Sequence, residues 1–307
     1  MDIEQARQQA QDENTPSEVL ANLAKSKDEV VLKYVASNPN TPVEILEKLS
    51  DRFPEAVTAN PIFDLLLLEN SDSKFIKLTL ARSSTTPKET LIKLAKDRDV
   101  DIRRAVARNK NTFPEVLSIL AKDSDVRIRL TIAMNSSTSP EVLSVLAKDL
   151  NCTVRGFVAK NPATSLKVLS NLAKYSDYDV RSAVAQNKNL PLGVLFILAE
   201  DSDARVRETV AMNSITPPGF LSFLARDSIY FVCQAVAQNP NTPPKVLSYL
   251  ANNSNWYTRE IVAKNKNTSP ETLSTLAKDL DRRVRETVAK NPSTPPEVLF
   301  NLVKNLK

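Results

Sequence analysis

The apolar positions of this sequence return at a fixed spacing of 26 residues. In the stretch 86–109, positions 90, 91, 94 and 95 form one short stripe with helical spacing, and positions 102, 105 and 106 form a second. The leucine at position 91 recurs as Leu117, Leu143, Leu169, Leu195, Leu221, Leu247, Leu273 and Leu299. A period of about 20 to 50 residues indicates stacked repeats rather than one globular core. Each repeat is predicted to form two short helices joined by a polar turn.

The two predicted helices need their neighbours, because helices of about 8–10 residues are marginal in water when isolated. A column of small residues indicates how closely the repeats approach. Alanine fills it nine times in succession: Ala81, Ala107, Ala133, Ala159, Ala185, Ala211, Ala237, Ala263 and Ala289. We therefore expect successive layers to come into close backbone contact along this column.

Polar residues at fixed places predict where the helices begin. Thr86, Pro87 and Glu89 have the spacing of a capping box, with Thr86 as the N-cap of the first helix. Asp97 is predicted to lie in the turn and cap the second helix. Arg103 is predicted to reach an aspartate or carbonyl of the neighbouring layer. The Asp and Arg columns recur together in many repeats, which favours a structural role over catalysis.

An asparagine closes the second helix of most repeats. This column contains Asn109, Asn135, Asn161, Asn187, Asn213, Asn239, Asn265 and Asn291. Asparagine tolerates left-handed backbone conformation at helix ends, and its amide can pair with backbone groups. We predict a buried asparagine ladder that fixes the register of the layers.

Interruptions in the period define the predicted organisation of the chain. Residues 1–13 are predicted to form a polar N-terminal capping helix, residues 14–293 the helical repeats, and residues 294–307 a C-terminal half-repeat cap. The spacing is irregular within 41–85, where the repeats are degenerate and a bend or an irregular loop is expected.

The repeated pattern N-P-x-T-P-x-E-V-L-x-x-L-A, followed by V-R-x-x-V-A-x-N, resembles the leucine-rich repeat variant family. Its logic is also similar to that of HEAT repeats. The resemblance implies an all-α, right-handed superhelical solenoid of 26-residue, two-helix repeats, in which one helix can be 3₁₀. Some relatives carry an iron–sulfur module ahead of the repeats, but no cysteine precedes Cys152 here. The resemblance implies no substrate and no activity.

Composition weighs against several kinds of chemistry. The sequence has no histidine, which removes the usual general base and the commonest metal ligand. Cys152 and Cys233 are about three layers apart, too distant for a disulfide. No signal peptide and no long apolar span are visible. We predict a cytoplasmic, non-catalytic protein without metal or cofactor, and we disfavour an enzyme of the HEAT-like glycosylase kind because no singular catalytic constellation is present.

The second helix lines the concave face in HEAT-like solenoids, so its variable columns, those of positions 101, 104 and 108, are the expected binding surface. Two adjacent repeats carry aromatic pairs there, and aromatic and arginine side chains anchor many protein interfaces. The predicted site for a protein or peptide consists of Arg205, Tyr230, Phe231, Gln234, Trp256, Tyr257, Glu260 and Arg283. Alternatively, the rings cover a local irregularity at Thr258, which replaces the usual valine.

Basic columns offer a second hypothesis, nucleic-acid binding, since the net charge is +5. The candidate phosphate-binding residues are Lys96, Lys122, Lys148, Lys160, Lys174, Lys264 and Lys290. Alternatively, cations such as Lys96 follow the first helix and favour its dipole. Phe300 and the tail Leu302–Leu306 predict an apolar C-terminal face, suited to self-association or to capping by the chain itself.

Overall fold

The computed structural model describes residues 2–305, and every regular element in that range is an α-helix. The helices are α1 (Ile3–Gln11), α2 (Ser17–Leu23), α3 (Glu29–Ser37), α4 (Val43–Leu49), α5 (Pro54–Thr58), α6 (Pro61–Glu69), α7 (Lys74–Arg82), α8 (Lys88–Leu94), α9 (Val100–Arg108), α10 (Pro114–Leu120), α11 (Val126–Met134), α12 (Pro140–Leu146), α13 (Cys152–Lys160), α14 (Leu166–Leu172), α15 (Tyr178–Ala185), α16 (Leu192–Ala199), α17 (Ala204–Met212), α18 (Pro218–Leu224), α19 (Tyr230–Gln238), α20 (Pro244–Leu250), α21 (Trp256–Lys264), α22 (Pro270–Leu276), α23 (Arg282–Lys290) and α24 (Pro296–Asn305). The predicted all-α class is confirmed.

From α2 to α23 these helices form consecutive pairs, each with a first and a second helix. Neither helix of a pair is a 3₁₀ helix within the described part of the chain. Contacts of the i to i−3 kind occur where a first helix ends. After α8, the Lys96 N–H donates to the Lys93 carbonyl at 3.0 Å, and the Asp97 N–H donates to the Leu94 carbonyl at 3.1 Å. Such contacts tighten a final turn without making a separate helix.

The chain divides into two compact units, Met1–Val142 and Leu143–Lys307. In the first unit, α1, α3, α5, α7, α9 and α11 pack in succession. In the second unit, α13, α15, α17, α19, α21 and α23 do the same. Within each unit the second helices approach one another more closely than the first helices do. Each unit is therefore a solenoid-type stack whose core lies between its two rows of helices.

The predicted asparagine ladder is present and connects neighbouring layers. The Nδ2 of Asn213 donates to the Ala185 carbonyl at 2.7 Å and to the Asn187 carbonyl at 3.1 Å. Its Oδ1 accepts the Ile215 N–H at 3.1 Å. These bonds hold the backbone at the alanine column close to the asparagine of the next layer. The close approach explains why the column contains only a small side chain. No described residue has a positive φ, and the C-cap asparagines such as Asn109 have extended backbone rather than the left-handed conformation that asparagine tolerates.

The predicted threonine capping boxes are also wrong. The helix α8 begins at Lys88, its N-cap residue is Pro87, and no side chain caps it. Thr86 is buried, and its Oγ1 donates to the Leu80 carbonyl at 2.6 Å, six residues back. The hydroxyl thus fastens the loop to the end of the preceding helix. Where serine follows this threonine, as at Ser269, the serine caps the helix instead.

The aspartate and arginine columns form a ladder between layers. Arg103 donates from Nε and Nη2 to the Asp123 carboxylate of the next repeat, at 2.7 and 3.1 Å, and from Nη1 to the Asp97 carbonyl at 2.9 Å. Bidentate pairs of the same kind join Arg181 to Asp201, Arg207 to Asp227 and Arg259 to Asp279. The predicted reach of the arginine is confirmed, but Asp99 rather than Asp97 is the N-cap of α9.

These pairs change the ionisation of their members. Burial acts to raise the pKa of Asp123, but the hydrogen bonds from Arg103 and from the Asp125 backbone together hold that pKa below its usual range. The bond to Asp123 in turn raises the pKa of Arg103. Both groups therefore stay charged at neutral pH as a structural pair.

The degenerate region 41–85 contains four helices in place of an irregular loop. The departure is a shortened second helix, α5, of 5 residues. The ladder continues through it, because Asn60 donates to the Ala36 and Asn38 carbonyls at 3.0 and 2.8 Å.

The N-terminal helix α1 occupies the place of a second helix against α3. Its Ala10 is fully buried and accepts from Asn38 at 3.0 Å, as other alanines of the column do. Arg7 of α1 pairs with Asp28 at 2.8 Å. The polar face expected for residues 1–13 is therefore restricted to the side turned away from α3.

Candidate partner-binding face

The variable columns of the second helices lie outside the core. Residues in the columns of positions 101 and 108 are exposed in almost every repeat from α9 to α23. The column of position 104, which includes Gln234 and Glu260, is half-buried between neighbouring second helices. The buried core positions are thus nearly constant, while the residues that face outward differ from repeat to repeat.

The aromatic pairs begin α19 and α21. Tyr230 and Tyr257 are 57% and 44% exposed, whereas Phe231 and Trp256 are half-buried. Each pair makes an edge contact, with ring centroids 5.7 Å apart for Tyr230 and Phe231 and 5.5 Å apart for Trp256 and Tyr257. The tyrosines are consequently the rings that a partner can reach with least rearrangement.

The two predicted arginines stack on aromatic rings of the preceding repeat. The Arg283 guanidinium lies 3.3 Å from the Trp256 ring centroid and pairs with Asp281 at 2.9 Å. In the same way, Arg205 lies 3.5 Å from the ring centroid of Tyr178 and pairs with an N-cap aspartate at 2.7 Å. A guanidinium over an aromatic face is held by cation–π attraction. These arginines are fixed parts of the surface rather than free polar rim residues.

The N-cap aspartates of these stacks are strongly ionised. The hydrogen bond from Arg205 lowers the pKa of Asp203 to about 2, and that from Arg283 lowers the pKa of Asp281 to about 2. Each carboxylate also accepts its helix's early N–H, which favours the charged form.

An open groove of about 670 Å³ lies between α19 and α21. It is lined by Ala237, Gln238, Pro240, Tyr257, Glu260, Ile261, Lys264, Asn265, Lys266 and Asn267. Tyr257 and Glu260 were predicted for the partner site and Lys264 for phosphate binding, and the groove brings all three together. Gln238 belongs to the column of position 108 that is expected at the binding surface, whereas Pro240, Lys266 and Asn267 lie outside the predicted columns.

The predicted irregularity at Thr258 is real. Thr258 is fully buried, and its Oγ1 has no hydrogen-bond partner among the described residues. Valine fills this place in most repeats and would leave no such group unpaired. This buried, unpaired hydroxyl supports the interpretation that the rings cover a local irregularity.

All seven predicted phosphate-binding lysines are exposed, but they form two sets. Lys96, Lys122, Lys148 and Lys174 follow a first helix, whereas Lys160, Lys264 and Lys290 end a second helix. A second helix of 9 residues is about 13 Å long and separates the two sets. The lysines therefore do not make one stripe.

The structure also gives the environment of the two cysteines and of the C-terminal residues. Both cysteines are free, and Cys233 is buried with its Sγ donating to the Asp227 carbonyl at 3.3 Å. Among residues 2–305 no helix is long and apolar enough to cross a bilayer, and no group of His, Cys, Asp and Glu side chains could hold a metal ion. Phe300 is exposed, Leu302 is buried, and Leu306 lies outside the described residues.

Comparison with known proteins shows which repeats this chain resembles. The sequence model of a family described as leucine rich repeat variant matches residues 178–203. A solved structure described as a leucine-rich repeat variant with a novel repetitive structural motif is 26% identical, with a TM-score of 0.56, and covers 74% of this chain and 94% of its own. The crystal structure of an engineered protein covers 98% of this chain and 94% of its own at 16% identity, but its TM-score of 0.29 carries no argument. No curated protein matches the chain.

Proposed function

We propose that this helical repeat chain, which resembles a leucine-rich repeat variant protein in sequence and structure, is a non-catalytic scaffold that binds a protein or peptide through the face of its second helices. The observation that carries this proposal is the groove between α19 and α21. It offers an aromatic ring, a carboxylate, ammonium groups and side-chain amides within one open cleft.

The chemistry of the groove suits a peptide. The half-exposed ring of Tyr257 can cover an apolar side chain, and Tyr is a frequent interface anchor. The Gln238 amide can pair with a peptide backbone, and Glu260 and Lys264 can select charged side chains. Within each unit the second helices approach one another more closely than the first helices do, which supports the second helices as the inner, binding row of that unit.

The electrostatics support a non-catalytic role. The lowered carboxylate pKa values belong to N-caps and interlayer pairs such as Asp123 and Asp203. Burial raises the pKa of the Cys233 thiol, and a buried, protonated thiol is a poor nucleophile.

The test is affinity capture from the native host with two matched double variants. One changes the groove, Tyr257→Ala with Lys264→Glu, and the other changes the same columns on α13, Thr153→Ala with Lys160→Glu. All four residues are exposed, so thermal unfolding of both variants should stay close to that of the wild type.

We expect a protein that the wild type and the α13 variant retain and the groove variant loses. Capture of the same proteins by both variants contradicts the proposal. Recovery of nuclease-sensitive material, with affinity that falls steeply with salt, would instead support the phosphate-binding hypothesis.

A further inference from the structure

Four consecutive first helices lack an acidic residue that the others carry. At the place of Glu89, the repeats have Glu115 and Glu141 and, later, Glu271 and Glu297. Between them α14, α16, α18 and α20 carry Lys167, Gly193, Gly219 and Lys245 in this column. Within these four helices, all of which are described, the two lysines are the only side chains charged at neutral pH.

The same helices present large apolar side chains to solvent. We call Leu192, Phe196, Ile197, Phe223 and Tyr249 the outer apolar patch, and these side chains are between 44% and 65% exposed. The place of Phe196 is serine in six other repeats, at Ser118, Ser144, Ser170, Ser222, Ser248 and Ser274. Apolar residues are therefore not required here by packing within the repeat.

A ring contact joins the patch on α16 to α18. The Phe196 ring of α16 makes an edge contact with Phe220 of α18, with centroids 6.3 Å apart. On α20, Lys245 and Tyr249 are four residues apart and share one helix face. An extended apolar area with basic residues at its margin is thus present on the first helices, away from the groove of the second helices.

The two glycines of this column have no explanation inside the chain. A Cβ built on Gly193 or Gly219 meets no atom within 4 Å, so neither glycine is required by packing. Glycine destabilises a helix relative to alanine. A missing side chain at an exposed helix position leaves the backbone open to close approach from outside.

We propose that the outer apolar patch docks an acidic amphipathic segment of a partner protein. Apolar side chains of the segment cover Phe196, Ile197 and Phe223, the backbone passes over the two glycines, and carboxylates reach Lys167 and Lys245. A second copy of the patch is a poor occupant, because a two-fold contact would place the lysines of one copy against those of the other. The acidic C-cap of α16, Glu200, follows Phe196 and lies on neither lysine-bearing helix.

The experiment measures fluorescence anisotropy of a labelled synthetic helix, with leucines on one face flanked by glutamates, against the full chain. A second probe carries lysines in place of the glutamates. One variant, Phe196→Ser with Phe223→Ser, removes the apolar contact. Another, Lys167→Glu with Lys245→Glu, restores the acid found in other repeats. Val145→Thr, an exposed apolar residue in the column of Phe223 on α12, is the control.

We expect the glutamate probe to bind the wild type and the control equally, and the serine variant at least about tenfold more weakly. The charge variant should bind the lysine probe more tightly than the glutamate probe. Salt should weaken the binding of each protein to the probe of opposite charge, and only that binding. This second variant changes exposed side chains, so it tests the proposal even if the serine variant unfolds.

Several results overturn the proposal. These are no binding to the wild type, equal binding of both probes, or equal binding by every variant. Concentration-dependent dimerisation that the serine variant abolishes would assign the patch to a second copy. Binding to phosphatidylserine vesicles without binding to the glutamate probe would assign it to a membrane surface. None of these outcomes depends on the groove at Tyr257.

Discussion

At the scale of single residues, the asparagine column does what the leucines cannot. Leucine contacts hold layers together but allow sliding, whereas an asparagine amide such as that of Asn187 meets two particular carbonyls of the preceding layer. Asn187, which is 4% exposed, donates to the Ala159 carbonyl at 2.7 Å and accepts the Asn189 N–H at 2.8 Å. The geometry fixes the register because a buried carbonyl without a donor is costly.

Replacing Asn187 by leucine should therefore lower the free energy of unfolding by about 1–3 kcal/mol. The carbonyls of the preceding layer would lose their donor while remaining buried. Urea unfolding followed by circular dichroism measures the change, and Asn171→Leu, at an exposed position of α14, is the control. Equal stability of the two variants would contradict a structural role for the ladder.

At the scale of helices, the arginine ladder shows that the layers are matched in pairs. Cys233 takes the place of an arginine on α19, and Asn253 takes the place of the aspartate that such an arginine would meet in the next repeat. Both charges are absent together, so no buried carboxylate is left alone. Where Tyr175 replaces the aspartate instead, Arg155 stacks on its ring at 4.7 Å.

This arrangement predicts coupling between two substitutions. Asn253→Asp alone should destabilise the chain, because its carboxylate would lack the bidentate partner that Asp279 has in Arg259. Adding Cys233→Arg should recover stability, with a coupling energy of about 0.5–3 kcal/mol in a double-mutant cycle. Denaturation of the wild type, both single variants and the double variant measures it. Additive effects would show that positions 233 and 253 are not energetically coupled between layers.

The helices themselves were largely predictable from the sequence, and their starts were not. The leucine columns placed both helices of each repeat because their spacing follows the helical period. The spacing of Thr86 and Glu89 fits a capping box, so the sequence predicts a cap that the structure does not contain. The distinction lies in a contact with the Leu80 carbonyl, which no local pattern reports.

At the scale of the whole molecule, the sequence predicts which surface columns vary, but it does not predict how their side chains are arranged on that surface. The columns of positions 101 and 108 were correctly expected outside the core. The stacking of Arg283 on Trp256 depends on how far a side chain reaches across layers, so it could not be read from spacing. The same holds for the groove and for the separation of the lysines into two sets.

Acid should destabilise the molecule through its many aspartates. The bonds from Arg7, Lys74, Arg205 and Arg283 lower the pKa values of Asp28, Asp99, Asp203 and Asp281 respectively. A lowered pKa in the folded state means that the unfolded chain binds more protons, so stability falls as pH decreases through that range. The stabilisation is complete above the ordinary aspartate pKa of about 3.9 and is lost as pH falls towards about 2.

Urea midpoints measured from about pH 7 down to about pH 2 check this expectation. The double variant Asp203→Asn with Asp281→Asn should show a shallower decline, since asparagine can cap a helix without titrating. An identical decline in both proteins would place the acid sensitivity elsewhere.

The asparagine amides also give the stack a direction. Each donor reaches back to carbonyls about one repeat earlier in the chain, as Asn239 does to Ala211 at 2.6 Å. A module made later in synthesis therefore finds its acceptors already positioned by the module made before it. Growth on the ribosome from the N-terminus can follow the same order as docking, with each finished layer serving as the template for its successor.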